Sequence, residues 1–157
     1  MSMIRPNVCA VILNDQYRVL LAERTNGGWQ FPQGGIDAHE TPTAALYREV
    51  QEEVGLRKAH MELLGRADSP FRYDLPKEYQ ILNKSTGSMI VAQDQWWYLL
   101  KMVVNDSTIN LNTTTRPEFK QWRWVSFWYP LYCVIDFKKD VYRQGLTALA
   151  NLLRDGT

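Results

Sequence analysis

The chain of 157 residues has a mass of 18.3 kDa, a size that fits one domain with a single substantial core. Hydrophobic residues make up 45% of it, charged residues 22%, and the formal net charge is only +1, so the composition excludes a disordered or fibrous protein. No run of about 18 apolar residues occurs, and the first residues lack the apolar region of a secretory signal. We therefore expect one domain over residues 1–157, located in the cytoplasm and without a membrane segment.

Strand patterns dominate the chain and surround two helix patterns. β-branched and apolar runs predict strands, at residues 7–13, 17–23, 29–31, 60–66, 89–104 and 121–127. Thr41 as N-cap, Pro42 in the first turn and Gly55 after the last turn predict a helix over 42–54. A second amphipathic helix is indicated near the C-terminus by apolar residues at helical spacing, namely Tyr142, Leu146, Leu149 and Leu153. Residues 71–88 are predicted to be a polar excursion, and the whole pattern predicts an α/β or α+β sandwich.

The first predicted helix carries three carboxylates within a stretch of five residues, at Glu49, Glu52 and Glu53. Like charges three or four residues apart face one another on a helix, and each such pair costs roughly 0.2–0.5 kcal/mol. One interpretation is a solvated face that Arg48, four residues before Glu52, partly neutralises. The alternative is a site for a hard divalent cation such as Mg²⁺, which prefers carboxylate oxygens and is usually completed by substrate phosphates.

The spacing around these acids distinguishes the two interpretations. Every fixed position of the pattern G-x5-E-x7-R-E-U-x-E-E-x-G-U, in which U is aliphatic, is matched by Gly34, Glu40, Arg48, Glu49, Val50, Glu52, Glu53, Gly55 and Leu56. The segment resembles the signature of the Nudix hydrolases. This match favours a cation site over a solvated face.

The resemblance implies a fold, an activity and a cofactor. The fold would be an α/β/α sandwich around a central mixed β-sheet, and the activity would be hydrolysis of a nucleoside diphosphate linked to another moiety. Mg²⁺ is the implied cofactor, with Mn²⁺ or another divalent cation as a substitute. The implied catalytic metal ligands are Glu49, Glu52, Glu53 and the carbonyl of Gly34. Glu40 and Arg48 are expected to brace the loop and the helix.

Blocks outside the signature resemble a narrower group, the bacterial RNA pyrophosphohydrolases, which are also described as dinucleoside polyphosphate hydrolases. These blocks are RPNV (5–8), WQFPQGGI (29–36), FRYDLPK (71–77), RPEF (116–119), WRWVSFWYP (122–130) and FKKDVYR (137–143). The resemblance implies removal of pyrophosphate or phosphate from the 5′ end of triphosphorylated or diphosphorylated RNA, which leaves a 5′-monophosphate and promotes mRNA decay. The expected substrate partner is an RNA 5′ end or a dinucleoside polyphosphate, no membrane is involved, and a protein activator and the oligomeric state are left open.

The same resemblance assigns substrate contacts to five side chains. Arg5 is expected to contact the 5′ phosphates, and Arg24 with Phe137 to hold a nucleobase between them, with Lys138 nearby. An arginine and an aromatic ring stack on bases of any identity. On their own, however, Phe137 is typical of a core position and the two cations of a solvated surface. Tyr73 is either a substrate contact or a packing residue.

Glu118 follows a long polar loop in which an acid has no evident structural purpose. The resemblance implies that Glu118 is a further metal ligand, with the role of catalytic base as the alternative. Two other groups are predicted to be structural: the tryptophans Trp122, Trp124 and Trp128 in the core, and the buried free thiols of Cys9 and Cys133.

Two positions depart from the pattern of these relatives, because Asp94 and Trp96 stand where the relatives have basic residues. Fewer cations mean fewer phosphate contacts and weaker RNA binding, which keeps dinucleoside polyphosphate hydrolysis as an alternative activity. A catalytically inactive nucleotide-sensing module is an alternative from another class of protein. The intact set of Glu49, Glu52 and Glu53 argues against it.

Overall fold

The structure is a computed structural model of the chain and describes residues 1–155. Its strands are β1 (Ser2–Leu13), β2 (Val19–Arg24), β3 (Trp29–Gln30), β4 (Gln33–Gly35), β5 (Met61–Arg66), β6 (Phe71–Asp74), β7 (Ile81–Asn83), β8 (Ser88–Met102) and β9 (Phe119–Val125). Its α-helices are α1 (Pro42–Val54), α2 (Pro130–Cys133) and α3 (Lys139–Asp155), and short 3₁₀ turns cover Lys58–His60, Lys77–Tyr79, Asp106–Thr108 and Asp136–Lys138. Within residues 1–155, no helix is both long and apolar enough to cross a membrane.

The strands form one sheet whose centre is the parallel pair of β1 and β8. The central order is β3-β2-β1-β8-β5, and the other pairings are antiparallel. A parallel pair needs a long crossover connection, and the crossover between β1 and β8 carries α1. The predicted central mixed sheet is therefore confirmed.

Alternation of side chains along β1 divides the core between the two faces of the sheet. The cluster on one face includes Cys9, Val11 and Leu13 of β1 with Tyr142, Leu146 and Leu149 of α3. The cluster on the other face includes Val8, Ala10 and Ile12 of β1 with Leu46, Val50 and Val54 of α1. One helical layer thus covers each face, and the predicted α/β/α sandwich is confirmed.

Helix α1 has the bounds that its capping residues predict. Thr41 Oγ1 accepts a hydrogen bond from the Ala44 N–H at 3.1 Å, and Pro42 occupies the first turn. Gly55 adopts the left-handed conformation, with φ of 75°, and donates its N–H to the Gln51 carbonyl. Because this conformation strains residues that carry a Cβ atom, the helix ends at the glycine of the signature.

Helix α3 is held close to the sheet at two points. A Cβ atom on Gly145 would lie 2.0 Å from the Trp97 ring, so only glycine permits this approach. Tyr142 Oη accepts a hydrogen bond from the Phe31 N–H at 3.0 Å, and its ring contacts the rings of Phe31 and Trp97. These contacts fix the position of α3 relative to the end of β3.

The prediction for residues 71–88 was wrong, because β6 and β7 form there and pair with the N-terminal half of β8. Strand β5 pairs with β8 only from Tyr98 onward, so the first half of β8 would otherwise lack a partner on that side. Unpaired backbone groups in a central strand are costly, and this cost favours strands in a polar segment. On its other side, the first half of β8 pairs with β1, which therefore extends back to Ser2, opposite Met89.

The aromatic residues near β9 are less buried than predicted. Trp128 is 43% exposed, so its assignment to the core was wrong. Trp122 and Trp124 are half-buried against the cluster on the α1 side. Cys9 is a buried free thiol as predicted, whereas the free thiol of Cys133 is only half-buried.

Candidate metal and nucleotide site

Arg48 on α1 joins the loop after β4 to the helix. Its Nε donates to Glu40 Oε2 at 2.8 Å, its Nη2 to the Gly35 carbonyl at 2.9 Å, and its Nη1 to Glu49 Oε1 at 2.8 Å. Glu40 also accepts the Asp37 N–H at 2.9 Å, and the hydrogen bond from Arg48 is the main reason that the pKa of Glu40 falls to about 2. These contacts support the bracing role expected of Glu40 and Arg48.

Two side chains of opposite charge pack against Gly34 and Gly35 of β4, one on each face of the strand. A Cβ atom on Gly34 would lie 2.2 Å from the Glu49 carboxyl carbon, and one on Gly35 would lie 2.0 Å from Arg5 Nη2. Successive residues of a strand point to opposite faces, so Glu49 and Arg5 approach the bare backbone from its two sides. The glycines are therefore required for close approach rather than for an unusual backbone conformation.

Glu53 is a buried carboxylate, 7% exposed, next to Glu49. Its Oε1 accepts the Gln33 N–H at 3.0 Å, and no basic side chain pairs with it within residues 1–155. Burial, and then the negative charge of Glu49, raises the pKa of Glu53 well above its ordinary value. Burial also raises the pKa of Glu49, and Arg48 opposes that change.

Glu52 and Glu118 are more exposed than Glu49 and Glu53. Glu52 has a half-exposed side chain with Oε2 3.6 Å from Arg48 Nη1. Glu118 is positioned at the end of β2, where its carbonyl accepts the Thr25 N–H at 3.0 Å, and its charge contributes to the raised pKa of Glu53. Within residues 1–155, no three acidic, histidine or cysteine side chains are already gathered around a common metal position. Of these four acids only Glu49 and Glu53 are in mutual contact, and the ligand roles of all four stay predictions.

The contact between the half-buried Glu49 and the buried Glu53 fits a hard divalent cation. An unpaired buried carboxylate is unfavourable, and two in contact repel one another, so a cation between them would relieve both costs. Carboxylate oxygens are also the ligands that Mg²⁺ prefers. Glu49 and Glu53 are thus suited to hold such an ion beside Gly34, whose missing side chain lets the Glu49 carboxylate approach the backbone.

Lys138 and Arg24 supply positive charge to the same region. Lys138 is only 8% exposed, and its Nζ donates to Gln30 Oε1 at 3.2 Å, so the alternative interpretation of Lys138 as a solvated surface charge was wrong. Burial, and then the charge of Arg24, lowers the pKa of Lys138 to about 8. Arg24 Nε forms no hydrogen bond within residues 1–155 and lies 3.7 Å from Glu118 Oε1.

Phe137 belongs to an aromatic group at the edge of the site. Its half-buried ring lies 4.9 Å from the ring centre of Tyr79 and 6.3 Å from that of Tyr73. Tyr73 is 5% exposed, and its hydroxyl has no hydrogen-bond partner within the described chain. The packing of Phe137 is compatible with both a stacking surface and a core role, so base stacking against Arg24 stays a prediction.

Sequence reasoning missed a buried amide network beneath β4. Asn7 Nδ2 donates to Gln93 Oε1 at 2.7 Å and to Gln33 Oε1 at 3.2 Å, and Gln95 Nε2 donates to Asn7 Oδ1 at 2.8 Å. The network holds Gln33, whose N–H binds Glu53. Its only sequence signal is the pair of glutamines two residues apart in an otherwise apolar strand pattern.

Comparisons with known proteins agree with this geometry. The NUDIX domain model matches residues 3–143. The RNA pyrophosphohydrolase of Saccharophagus degradans is 49% identical over 148 residues, covering 93% of this chain and 85% of that protein, and the RNA pyrophosphohydrolase of Halorhodospira halophila is 45% identical over 151 residues, covering 96% and 82%. A C. elegans Ap4A hydrolase structure shares the fold, with a TM-score of 0.64 at 18% identity over 94% of this chain and 99% of that one. The chain therefore belongs to the NUDIX domain family.

Proposed function

We propose that this chain is a divalent-cation-dependent RNA pyrophosphohydrolase. It would remove pyrophosphate or phosphate from the 5′ end of triphosphorylated or diphosphorylated RNA, leave a 5′-monophosphate, and so promote mRNA decay in the cytoplasm. The observation that carries the proposal is the arrangement around β4, where Glu49 contacts the buried Glu53, which has no basic partner within residues 1–155, on one side and Arg5 lies on the other. The names of relatives up to 49% identical over most of the chain support the substrate.

Nudix hydrolases in general need divalent cations, and we assign Mg²⁺ here, with Mn²⁺ as a substitute. Glu49 and Glu53 would hold the ion, together with Glu52, Glu118 and the Gly34 carbonyl. When bound, Mg²⁺ neutralises phosphate oxygens and makes a nearby water more acidic.

The protein side chains then position the phosphates and accept a proton. Arg5 and Lys138 bind phosphate oxygens, and Arg24 with Phe137 holds the base. Water attacks phosphorus in line with the anhydride oxygen that leaves, and the displaced phosphate or pyrophosphate takes the electron pair of the broken bond. The proton of the water passes to a carboxylate; Glu118, whose only ion pair within residues 1–155 is with Arg24, is our candidate for this base as the alternative to its role as a metal ligand.

Dinucleoside polyphosphate hydrolysis is a second candidate activity, favoured by two cations that are already engaged. The Arg72 guanidinium donates to both Asp94 carboxylate oxygens at 2.7 and 3.0 Å. Arg66 stacks 4.5 Å from the Trp96 ring centre. Asp94 neutralises the charge of Arg72, and Trp96 covers one face of the Arg66 guanidinium, so fewer cations are free for an RNA backbone, which weakens RNA binding more than binding of a compact dinucleotide.

A direct comparison of substrates tests the proposal. Purified protein would receive a short 5′-triphosphorylated RNA or a dinucleoside tetraphosphate, with Mg²⁺ or with excess chelator. We expect 5′-monophosphorylated RNA without internal cleavage, a higher kcat/KM for RNA, and no turnover in chelator. A higher kcat/KM for the dinucleotide would support the second candidate, and absence of turnover on both substrates would support a nucleotide-sensing module.

A further inference from the structure

The ammonium group of Lys138 is held by an uncharged partner. Its only hydrogen bond goes to Gln30 Oε1, at 3.2 Å, and it forms no ion pair with a carboxylate within residues 1–155. Gln30 is itself 4% exposed and lies in β3, whereas Lys138 ends the turn that leads into α3. Two distant segments thus meet in a buried contact between one cation and one amide.

The surroundings of Lys138 leave its charge largely uncompensated. Its Nζ lies 6.0 Å from the Tyr73 ring centre and 5.9 Å from that of Phe137, where an ammonium gains only a modest attraction. Burying a cation without a paired anion is costly. The fold therefore keeps a buried ammonium group at a cost in stability, and charged groups kept in unfavourable surroundings are typical of functional sites.

The charged groups around Lys138 act in opposite directions. Burial and Arg24 lower its pKa to about 8, while Cys9, Glu118 and Glu53 act to raise it. Lys138 consequently remains mostly protonated at neutral pH. A substrate phosphate entering this region would meet an ammonium that no protein carboxylate has neutralised.

The chemistry of the amide fixes its orientation. A rotated Gln30 would point its N–H₂ group at the ammonium, so that two donors faced one another, and only the carbonyl oxygen can accept from Lys138. Gln30 Nε2 has no partner within the described residues. The side chain is thus anchored through its oxygen alone, and Lys138 is its only hydrogen-bond partner.

We propose that Gln30 is a positioning residue, which holds the Lys138 ammonium toward a substrate phosphate without neutralising its charge. The ammonium has three N–H donors, and one of them is used by Gln30, so two remain for phosphate oxygens. A glutamate at this position would hold the same group equally well but would cancel its charge. This inference rests on the proposed function only in its choice of RNA as the natural source of the phosphates.

Near-isosteric substitutions separate positioning from packing. Gln30→Glu keeps the shape and adds a negative charge, Gln30→Met keeps the volume and removes the acceptor, and Gln16→Glu adds the same charge at an exposed turn as a control. The probes are inorganic triphosphate and a short triphosphorylated RNA with methylene bridges in place of the anhydride oxygens, both measured by calorimetry with Mg²⁺.

We expect Gln30→Glu to weaken binding of both probes by about tenfold to hundredfold, and Gln30→Met by about threefold to tenfold. In turnover of triphosphorylated RNA these losses should appear mainly in KM rather than in kcat, which a general loss of folded protein would not produce. Gln16→Glu should match the wild type. Unchanged binding of inorganic triphosphate by Gln30→Glu would overturn the proposal.

A double-mutant cycle tests whether Gln30 acts through Lys138. If it does, Gln30→Met should have little further effect on triphosphate binding once Lys138→Met is present. Additive losses would show that Gln30 acts independently and would also overturn the proposal. Because inorganic triphosphate contains no nucleotide, this result stands even if RNA proves not to be the substrate, so the two proposals fail separately.

Discussion

The acid side and the cation side of the site are assembled in different ways. The acid side is built by one continuous segment, in which Arg48 joins Glu40, Gly35 and Glu49 through contacts no more than 13 residues apart. The cation side draws on β1, β2, β3, β6 and the turn before α3. The contacts of Arg48 are thus local in the chain, whereas the residues that we propose for phosphate and base contacts depend on how the sheet and α3 pack together. Variants on the two sides should therefore fail differently.

The largest effect is expected on the acid side, for Glu53→Gln. Loss of a carboxylate that we propose as a metal ligand should reduce kcat/KM by about a hundredfold to a thousandfold, since bound metals contribute several kcal/mol to such reactions. Because Glu53 is buried without a counterion, the melting temperature of the metal-free variant should be unchanged or raised. Glu62→Gln on β5 is the matched control. Full activity of Glu53→Gln, or of the wild type in excess chelator, would contradict the metal assignment.

Substitutions of Phe137 test the cation side. Phe137→Ala should lower kcat/KM on triphosphorylated RNA by about tenfold to hundredfold, because base stacking contributes about 1–3 kcal/mol. Phe137→Trp should restore much of the activity and Phe137→Leu should not. Melting temperatures distinguish the two interpretations: if Leu restores activity in step with stability, Phe137 is a core residue and the stacking assignment fails. Phe127→Ala is a control for loss of an aromatic ring outside the site.

Substitutions of the two glycines of β4 compare the acid side and the cation side of the site within one strand. In Gly34→Ala the new methyl group would displace the Glu49 carboxyl, and in Gly35→Ala the Arg5 guanidinium. Both neighbours are the ends of flexible side chains, so the melting temperature should change little. We expect Gly34→Ala to weaken Mg²⁺ activation by about tenfold to hundredfold and Gly35→Ala to raise KM by about tenfold. The same kinetic defect in both variants would mean that β4 does not separate two functions.

The smallest effect concerns the pH dependence of the brace. The pKa of Glu40 is about 2 in the folded protein, against an ordinary value of 4.5, so Glu40 stabilises the fold above pH 4.5 and loses this contribution as the pH falls toward 2. Glu40→Gln should therefore reduce stability by about 1 kcal/mol near neutral pH, with the difference vanishing in acid. Chemical denaturation of both proteins at several pH values measures this. If the two proteins differed in stability by the same amount at every pH, the effect of Glu40 would not come from its charge.

The sequence was sufficient where the determinants are local. Helix α1 has the predicted bounds because Thr41, Pro42 and Gly55 act on adjacent backbone groups. The three acids were predicted to share one face of the helix. In the structure Glu49 and Glu52 lie next to Arg48 and Glu53 is buried, a difference that depends on rotamers and packing. The strands within residues 71–88 were missed because the need for them lies in β8. The contact between Gln30 and Lys138 was beyond sequence reasoning because it exists only once β3 and α3 are packed.

The close packing of α3 on the sheet determines where Lys138 lies. Lys138 immediately precedes α3, and Gly145 lies seven residues later, about 10 Å along the helix axis. The absence of a side chain at Gly145 lets the helix rest against Trp97, and Tyr142 ties it to the backbone beside Gln30. A single methyl group at residue 145 would push α3 away from Trp97. It would thereby also displace the ammonium of Lys138 at the start of the helix. The distance between α3 and the sheet thus sets the position of Lys138, the cation that we propose for phosphate binding.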